Sequence, residues 1–548
     1  MTGRLKLVTV EEMKAIEQKA NSNGLTYDRM MEFAGKGIAD VVNHRFGNLE
    51  EKRILGLVGS GNNGGDTLVA LELLVRSGWK VTAYLLRPRS EDDLLLEKLK
   101  QSGGSIIQLE HDSEYKILND TLDITRLILD GVLGTGIKLP LRGSLSETLK
   151  HIRERITTMR DRPVIVAVDC PSGVDCDSGE VAEETIPADL TVTMAAVKHG
   201  LLRFPANDYV GEIVVVGIGL ENLPGKIIEW EKITRFVVDS AWVRELLPHR
   251  PRNAHKGTFG TVMVVAGSMN YTGAAVLAGK AAYRAGAGLV TLAIPRPLHE
   301  TLAGQFLEAT WLLLPHELGV IAANASSLLL ENLERVTAML IGPGFGLDVE
   351  TREFMDSITG GNLHKRTSGI GFIPSGIKEP MRLRDREIPL VIDADGLKLL
   401  AQLDDWDKRI PHESILTPHP GEMAILTGLE TREIQADRIR IAEEFAQKWQ
   451  HIVVLKGANT VIAAPDGRTA VVPIASPALA RAGSGDVLAG LIVGLRAQSV
   501  SAFDSAVAGA WIHARSGLLA AIRLGTTISV LAGDILEAIP TVFKEIKA

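Results

Sequence analysis

Three polar segments in the first half of the sequence combine residue types that hold ions and move protons. Gly59-Ser-Gly-Asn-Asn-Gly-Gly-Asp66 carries four glycines. They free the backbone to turn tightly and aim N–H groups at an anion, a phosphate above all. A Gly-rich turn closed by Asp66 as the cap of a following helix fits the same residues. Asp130-Gly-Val-Leu-Gly-Thr-Gly136, running on to Pro140, and Asp169-Cys-Pro-Ser-Gly-Val-Asp175 add carboxylates and a hydroxyl. Asn63, Asp130 and Ser172 offer hard oxygen ligands for a hard cation, and Asp169 offers an acid/base. Singly, each aspartate is also a plausible cap or turn former.

The second half carries a different set. Ala482-Gly-Ser-Gly-Asp486 precedes a stretch in which Val487, Leu488, Leu491, Ile492 and Leu495 form a helical stripe. The free N–H groups of such a helix start stabilise charge on a phosphoryl group, and Asp486 can take a proton from an attacking hydroxyl. Asp486 as a simple N-cap is the competing reading. Lys456-Gly-Ala-Asn-Thr460, Asp393-Ala-Asp-Gly396, Gly342-Pro-Gly-Phe-Gly346 and Thr417-Pro-His-Pro-Gly-Glu422 each follow an apolar run and add a cation, carboxylates and an imidazole.

These segments need elements to position them. Thr9 with Glu12 predicts a capping box opening a helix to about Asn21, and a second helix covers about Tyr27 to Arg45. Strands are expected at 53–58, 80–86, 127–129, 164–168, 190–194 and 213–216, with a helix from Asp66 to Arg76. A second strand series runs 261–265, 289–294, 338–341, 389–392 and 451–455. Between about Leu220 and Lys256 the alternation breaks, at the turn-forming Glu221 to Gly225 and the proline-broken Pro248 to Lys256. The reading is an α/β chain of two domains, 1–235 and 236–548, each a largely parallel sheet covered on both faces. Loops at strand carboxyl ends then converge on one crevice per domain.

Composition sets the outer limits. With 548 residues, 45% hydrophobic and 23% charged, the chain is a folded multidomain protein. A net charge of -8 argues against nucleic acid or an anionic membrane as partner. No apolar run approaches the ~18 residues of a membrane helix, and the N-terminal residues lack a signal-peptide core. Two cysteines make neither a disulfide framework nor a zinc cluster. A cytoplasmic location is expected.

Asn62-Asn-Gly-Gly-Asp66, Asp130-Gly-Val-Leu-Gly-Thr-Gly136 and Asp169-Cys-Pro-Ser-Gly173 resemble the N-terminal domain of the NAD(P)H-hydrate repair enzymes, an epimerase of Rossmann-like three-layer fold. The resemblance implies that hydrated NAD(P)H contacts Asn62, Asn63, Gly64, Gly65 and Asp66, then Gly134, Thr135, Gly136, Ile137, Lys138, Leu139 and Pro140, and Asp169. It also implies potassium on Asn63, Asp130 and Ser172. Phe33 stands where that family commonly has Asn. The second half resembles the ADP-dependent NAD(P)H-hydrate dehydratases, of ribokinase-like fold. The stretches that carry this are His255 to Gly260, Ala266-Gly-Ser268, Thr272-Gly-Ala274, Ile341 to Gly344, Asp393 to Gly396, Pro418 to Glu422, Lys456-Gly457 and Gly483 to Gly490. By this resemblance Ala274, Gly344, His419 and Asp486 contact the hydrated dinucleotide. Lys456, Gly457, Ala458, Asn459, Thr460 and Gly485 contact the adenine nucleotide. Lys398 stands where that family often has Asn.

The implied chemistry is an isomerase fused to a lyase. The C6 hydroxyl of hydrated NAD(P)H is a poor leaving group until phosphorylated. Asp486 would deprotonate it, ADP would donate a phosphoryl group with magnesium offsetting charge, and loss of phosphate would restore NAD(P)H. The R form must first be epimerised, with Asp169 as acid/base. The expected partners are small molecules, and a homo-oligomer is expected. Two other readings fit: a small-molecule kinase that makes a stable phosphorylated product, and a first half that only binds nucleotide.

Overall fold

Thr9 opens the first helix, Val10–Ser22, through the capping box that the sequence predicts. Its hydroxyl accepts the Glu12 N–H at 3.1 Å, and the Glu12 carboxylate accepts the Thr9 N–H at 2.8 Å. The computed structural model describes residues 4–90, 92–223, 225–360 and 382–547. It divides into two compact units, Met1–Arg235 and Phe236–Ala548. The turn predicted at 221–225 includes Pro224, which lies outside the described residues. Among the described residues, no helix is long and apolar enough to cross a membrane.

The first unit holds a seven-stranded parallel sheet. Its strands run in the order Ser105–Gln108, Lys80–Leu85, Arg53–Val58, Leu127–Gly131, Val164–Val168, Leu190–Met194, Glu212–Val216. The central strands are almost wholly buried, which is why they read as continuous β-branched runs. Ile16, Ile38, Leu71 and Leu129 pack on one face, and Leu57, Ile128, Leu149 and Ile152 on the other. After Arg53–Val58 the chain builds one wing, then returns to Leu127–Gly131 on the other side. The topological switch point lies between these two strands.

The helix expected from Asp66 opens at Asn62 and runs to Arg76, with Gly61 at its cap position and no side-chain cap. A Cβ on Gly64 would lie 2.1 Å from the Gly59 carbonyl oxygen, so only glycine lets the chain coil this early. Asn62 to Asp66 are therefore helical, and Asp66 is not a cap. Asp130 sits within the strand Leu127–Gly131 rather than in the loop after it.

In the second unit seven parallel strands run in the order Thr310–Leu314, Leu289–Pro295, Thr261–Val265, Ala338–Ile341, Leu390–Ile392, Ile415–Leu416, Ile452–Leu455. Val461–Ala463 and Thr469–Val471 then continue antiparallel. Here the switch point falls between Thr261–Val265 and Ala338–Ile341. The helix Ser484–Arg496 starts at Gly483, which adopts φ +84°, and Asp486 is its third residue rather than its cap. It lies close against the helix Gly273–Arg284. A Cβ on Gly490 would be 2.2 Å from the Ala278 carbonyl oxygen, and one on Gly494 2.7 Å from that of Ala282. His255 to Gly260 forms a capped turn leading into Thr261–Val265, at the amino end of the sheet.

Candidate functional site

In the first unit a cleft of about 540 Å³ opens at the carboxyl ends of the strands, lined among others by Asn62, Asn63, Asp66, Gly134 to Ile137 and Asp169. The switch point brings the three candidate oxygen ligands, Asn63, Asp130 and Ser172, together through Leu133. The Asn63 amide donates to its carbonyl (2.8 Å), and its N–H donates to the Ser172 hydroxyl (2.9 Å). Ser172 donates in turn to both Asp130 oxygens, from its hydroxyl (2.5 Å) and its N–H (2.8 Å). Asp130 is fully buried, which pushes its carboxyl up against the pull of the Ser172 bonds. Among the described residues the buried Asn63 Oδ1 has no hydrogen-bond partner, leaving an acceptor suited to a cation.

Asp169 adopts φ +66°, the left-handed region. Its Oδ1 accepts from Lys198 Nζ, from the Thr193 hydroxyl at 3.0 Å and from the Met194 N–H at 3.2 Å. Lys198 sits on the short strand Val197–Lys198, which pairs with Leu5–Val8, and it is completely enclosed. Burial works against its charge, but Asp169 outweighs this and holds the ammonium above its ordinary value. Burial pushes the Asp66 carboxyl well up, and Asp169 and Glu17 push it further against Lys198. A second groove of about 570 Å³ shares Arg87, Leu133, Gly136 and Ile137 with the cleft and adds Lys138, Leu139, Pro140 and Arg142. Phe33 packs on Gly219 instead, where an added Cβ would meet its ring at 2.5 Å.

In the second unit the strand ends are laced in register. Asp393 N–H donates to Ile341 O, Thr417 N–H to Ile392 O, and Lys456 N–H to Pro418 O. Buried Asp393 accepts from Lys456 Nζ (2.6 Å) and the Thr417 hydroxyl (2.7 Å) through Oδ1, while its buried Oδ2 has no partner among the described residues. Lys456 also lies 3.6 Å from Glu422. Burial lowers the Lys456 pKa, but the two carboxylates prevail and raise it. Gly485 covers this pair: a Cβ there would be 3.5 Å from Lys456 Nζ and 3.7 Å from Asp393 Oδ2. Asp486 is lifted to about 7, first by burial and then by Asp393, with Lys456 opposing.

The remaining candidates gather around this centre. Gly344, at φ +66°, abuts Ala274; a Cβ on it would lie 2.9 Å from that of Ala274. Leu277, one turn further along that helix, touches Gly483. His419 caps the helix Pro420–Thr427, its Nδ1 accepting the Gly421 and Glu422 N–H groups. Burial lowers its pKa, with Glu422 opposing. Gly457 to Thr460 close on themselves through the Thr460 hydroxyl and the Gly457 carbonyl (2.9 Å). Gly457 and Ala458 are exposed there and Asn459 is buried. Lys398 bonds Asp395 (3.0 Å), whose other oxygen accepts the Gly346 N–H (3.0 Å).

A model of the NAD(P)H-hydrate dehydratase family matches residues 262–541, and a model of the YjeF-related protein N-terminus matches 27–200. The chain is 35% identical over 552 residues to the bifunctional NAD(P)H-hydrate repair enzyme Nnr of Moorella thermoacetica, covering 99% of this chain and 97% of that one. The chain belongs to the bifunctional NAD(P)H-hydrate repair enzymes. The member from Escherichia coli K12 is 33% identical over 529 residues, covering 95% of this chain and 90% of its own. A solved ADP/ATP-dependent NAD(P)H-hydrate dehydratase from Bacillus subtilis, co-crystallised with ATP and Mg2+, aligns with 57% of this chain and 98% of its own. Its identity is 28% and its TM-score 0.46.

Some residues that complete these sites in this repair enzyme escape the sequence reading. Lys198 ends a run of apolar and small residues, and a charge there is the one available signal. Glu17 reaches the cleft from the first helix. Arg438 donates to the Leu455 and Lys456 carbonyls (2.8 and 3.1 Å) and covers Gly457; burial lowers it to about 10. His513, pushed down to about 4 by burial, meets the Ser484 hydroxyl at 3.2 Å.

Proposed function

We propose that residues 1–235 epimerise hydrated NAD(P)H at C6 and that residues 236–548 dehydrate the S form at the expense of ADP, giving NAD(P)H, AMP and phosphate. The observation that carries this is the contrast between two strand-end centres in one member of the repair family. One places Asp169 beside a buried lysine in a cleft, and the other places Asp486 at a helix start above the Lys456–Asp393 pair. In the first, Asn62 to Asp66 and Gly134 to Pro140 embrace the substrate, with the Arg87, Lys138 and Arg142 groove suited to its phosphates. Potassium would be held by Asn63 Oδ1, Asp130 and Ser172, and would stiffen the loops next to Asp169.

In the second centre Asp486 takes the proton from the C6 hydroxyl as that oxygen attacks the phosphoryl group. The N–H groups at the start of Ser484–Arg496, Gly485 among them, receive the charge that develops. Ala274, Gly344 and His419 hold the dinucleotide, and Lys456 with Gly457 to Thr460 holds the adenine nucleotide. Among the described residues no group of three or more His, Cys, Asp or Glu side chains could hold a metal ion by itself. Magnesium typically binds through one or two carboxylates with phosphate and water completing its shell. Asp393, whose Oδ2 has no partner among the described residues, fits that role, and the ion it would hold would offset charge on the transferring phosphoryl group.

The test is racemic hydrated NADH with excess ADP or ATP, following recovery of reduced-nicotinamide absorbance. Complete recovery driven by ADP is expected. Recovery driven by ATP alone overturns the nucleotide assignment. A stable phosphorylated product points to a kinase, and arrest at half conversion removes the epimerase.

A further inference from the structure

We propose that Asp66 is the general acid of the epimerisation, working with Asp169 as its base. This goes beyond substrate contact and rests on the epimerase reading of the first unit. Both carboxyls line the same cleft, yet their surroundings differ. Asp169 has three donors on Oδ1, one of them the buried Lys198 ammonium, which leaves Oδ2 for the substrate. Asp66 has no hydrogen bond or ion pair to its carboxyl among the described residues, although it is largely enclosed in the first turns of Asn62–Arg76. The charged groups around it are Asp169, Lys198 and Glu17, with Lys14, Asp28 and Arg87 elsewhere on the cleft wall. Lys198 is the enclosed cation of the cleft, and it is already matched to Asp169. A second carboxylate beside them has no cation paired to it among the described residues and keeps its proton, as when two carboxyls in one site divide into acid and base.

That division suits the substrate. C6 carries both the hydroxyl and the ring nitrogen N1. Asp66 gives its proton to the hydroxyl, the C6–O bond breaks, and water leaves as the N1 lone pair forms N1=C6. Water then adds to the opposite face. Its lone pair makes the new C6–O bond, the N1=C6 pair returns to N1, and the surplus proton passes to Asp169. Proton exchange with solvent restores both groups, and the reverse reaction exchanges their roles.

The experiment uses the full chain with Asp66→Asn, Asp66→Glu and the wild type, measuring R-to-S conversion as a function of substrate and pH. Asp66→Asn is expected to lose ~10²–10³-fold in kcat with KM changed less than threefold. The wild-type rate should fall on the alkaline side as Asp66 loses its proton, and Asp66→Asn should lack that limb. Asp66→Glu should recover at least a tenth of the rate, which a role in folding alone does not explain. A loss under fivefold in Asp66→Asn, or an unchanged alkaline limb, overturns the assignment. If the wild type itself does not epimerise, the epimerase reading falls, and the acid with it.

Discussion

Both halves bury a lysine against an aspartate at the carboxyl end of a parallel sheet, but they leave different carboxyls to act. In the first, Lys198 pairs with Asp169 itself, and Asp66 is left without a hydrogen bond or ion pair among the described residues. In the second, Lys456 pairs with Asp393, and Asp486 stands one step outside the pair, lifted to about 7. The choice of partner thus sets which carboxyl is ion-paired to the lysine and which is left outside the pair, where burial raises it. A base poised near neutrality is suited to accept a proton from a hydroxyl as the phosphoryl group arrives.

The largest effect expected from this contrast is that of Asp486→Asn. Dehydration of S substrate with ADP should fall ~10²–10⁴-fold while epimerisation changes less than twofold. A loss under fivefold would leave Asp486 a bystander. The same variant should melt higher than wild type at pH 8. The sign follows from linkage: an unfolded Asp ionises near 3.8, the folded one at about 7, so the buried carboxyl costs stability as pH rises between them. Asp169→Ala should do the opposite to activity. Racemic substrate with excess ADP should stall near half conversion, apart from slow spontaneous epimerisation, and pure S substrate should be consumed at the wild-type rate. Equal loss of both activities in folded protein would collapse the two centres into one.

A subtler contrast lies in pH. The dehydration rate should drop ~tenfold per unit below pH 6 as Asp486 gains its proton, and level off above about 8. A flat profile from 5 to 8 would assign the proton elsewhere. The smallest effect expected is that of Lys398→Ala. Its ion pair with Asp395 is partly exposed and worth at most ~1 kcal/mol. ADP turnover should therefore change less than about fivefold, because Asp395 still holds the Gly346 N–H.

The buried strands were the most legible features. Arg53–Val58, Thr261–Val265 and Ala338–Ile341 stand out as apolar runs ended by glycine-rich loops, and parallel strands covered on both faces must read this way. The gathering of Asn63, Asp130 and Ser172 follows from the same logic, since each sits at or just past a strand's carboxyl end. Helix starts were less legible. An aspartate after a glycine run looks like a cap at both Asp66 and Asp486, but in both places a glycine, Gly61 or Gly483, holds the cap position and the helix has begun before the aspartate. Lys198 and Arg438 were illegible for another reason. Their partners are Asp169 and the Leu455 and Lys456 carbonyls, and only the closed fold puts these within reach.

The tight crossing of Ser484–Arg496 over Gly273–Arg284 has a mechanical consequence. Ala274 stands near the start of one helix and Asp486 near the start of the other, so both proposed contacts to the dinucleotide are carried on rods clamped together further down. With Gly490 and Gly494 as the clamp, the gap between those rods is a fixed gauge. A methyl group added at Gly490 would drive the Ala278 backbone away and widen the gauge at the far end, altering a reaction whose atoms it never touches.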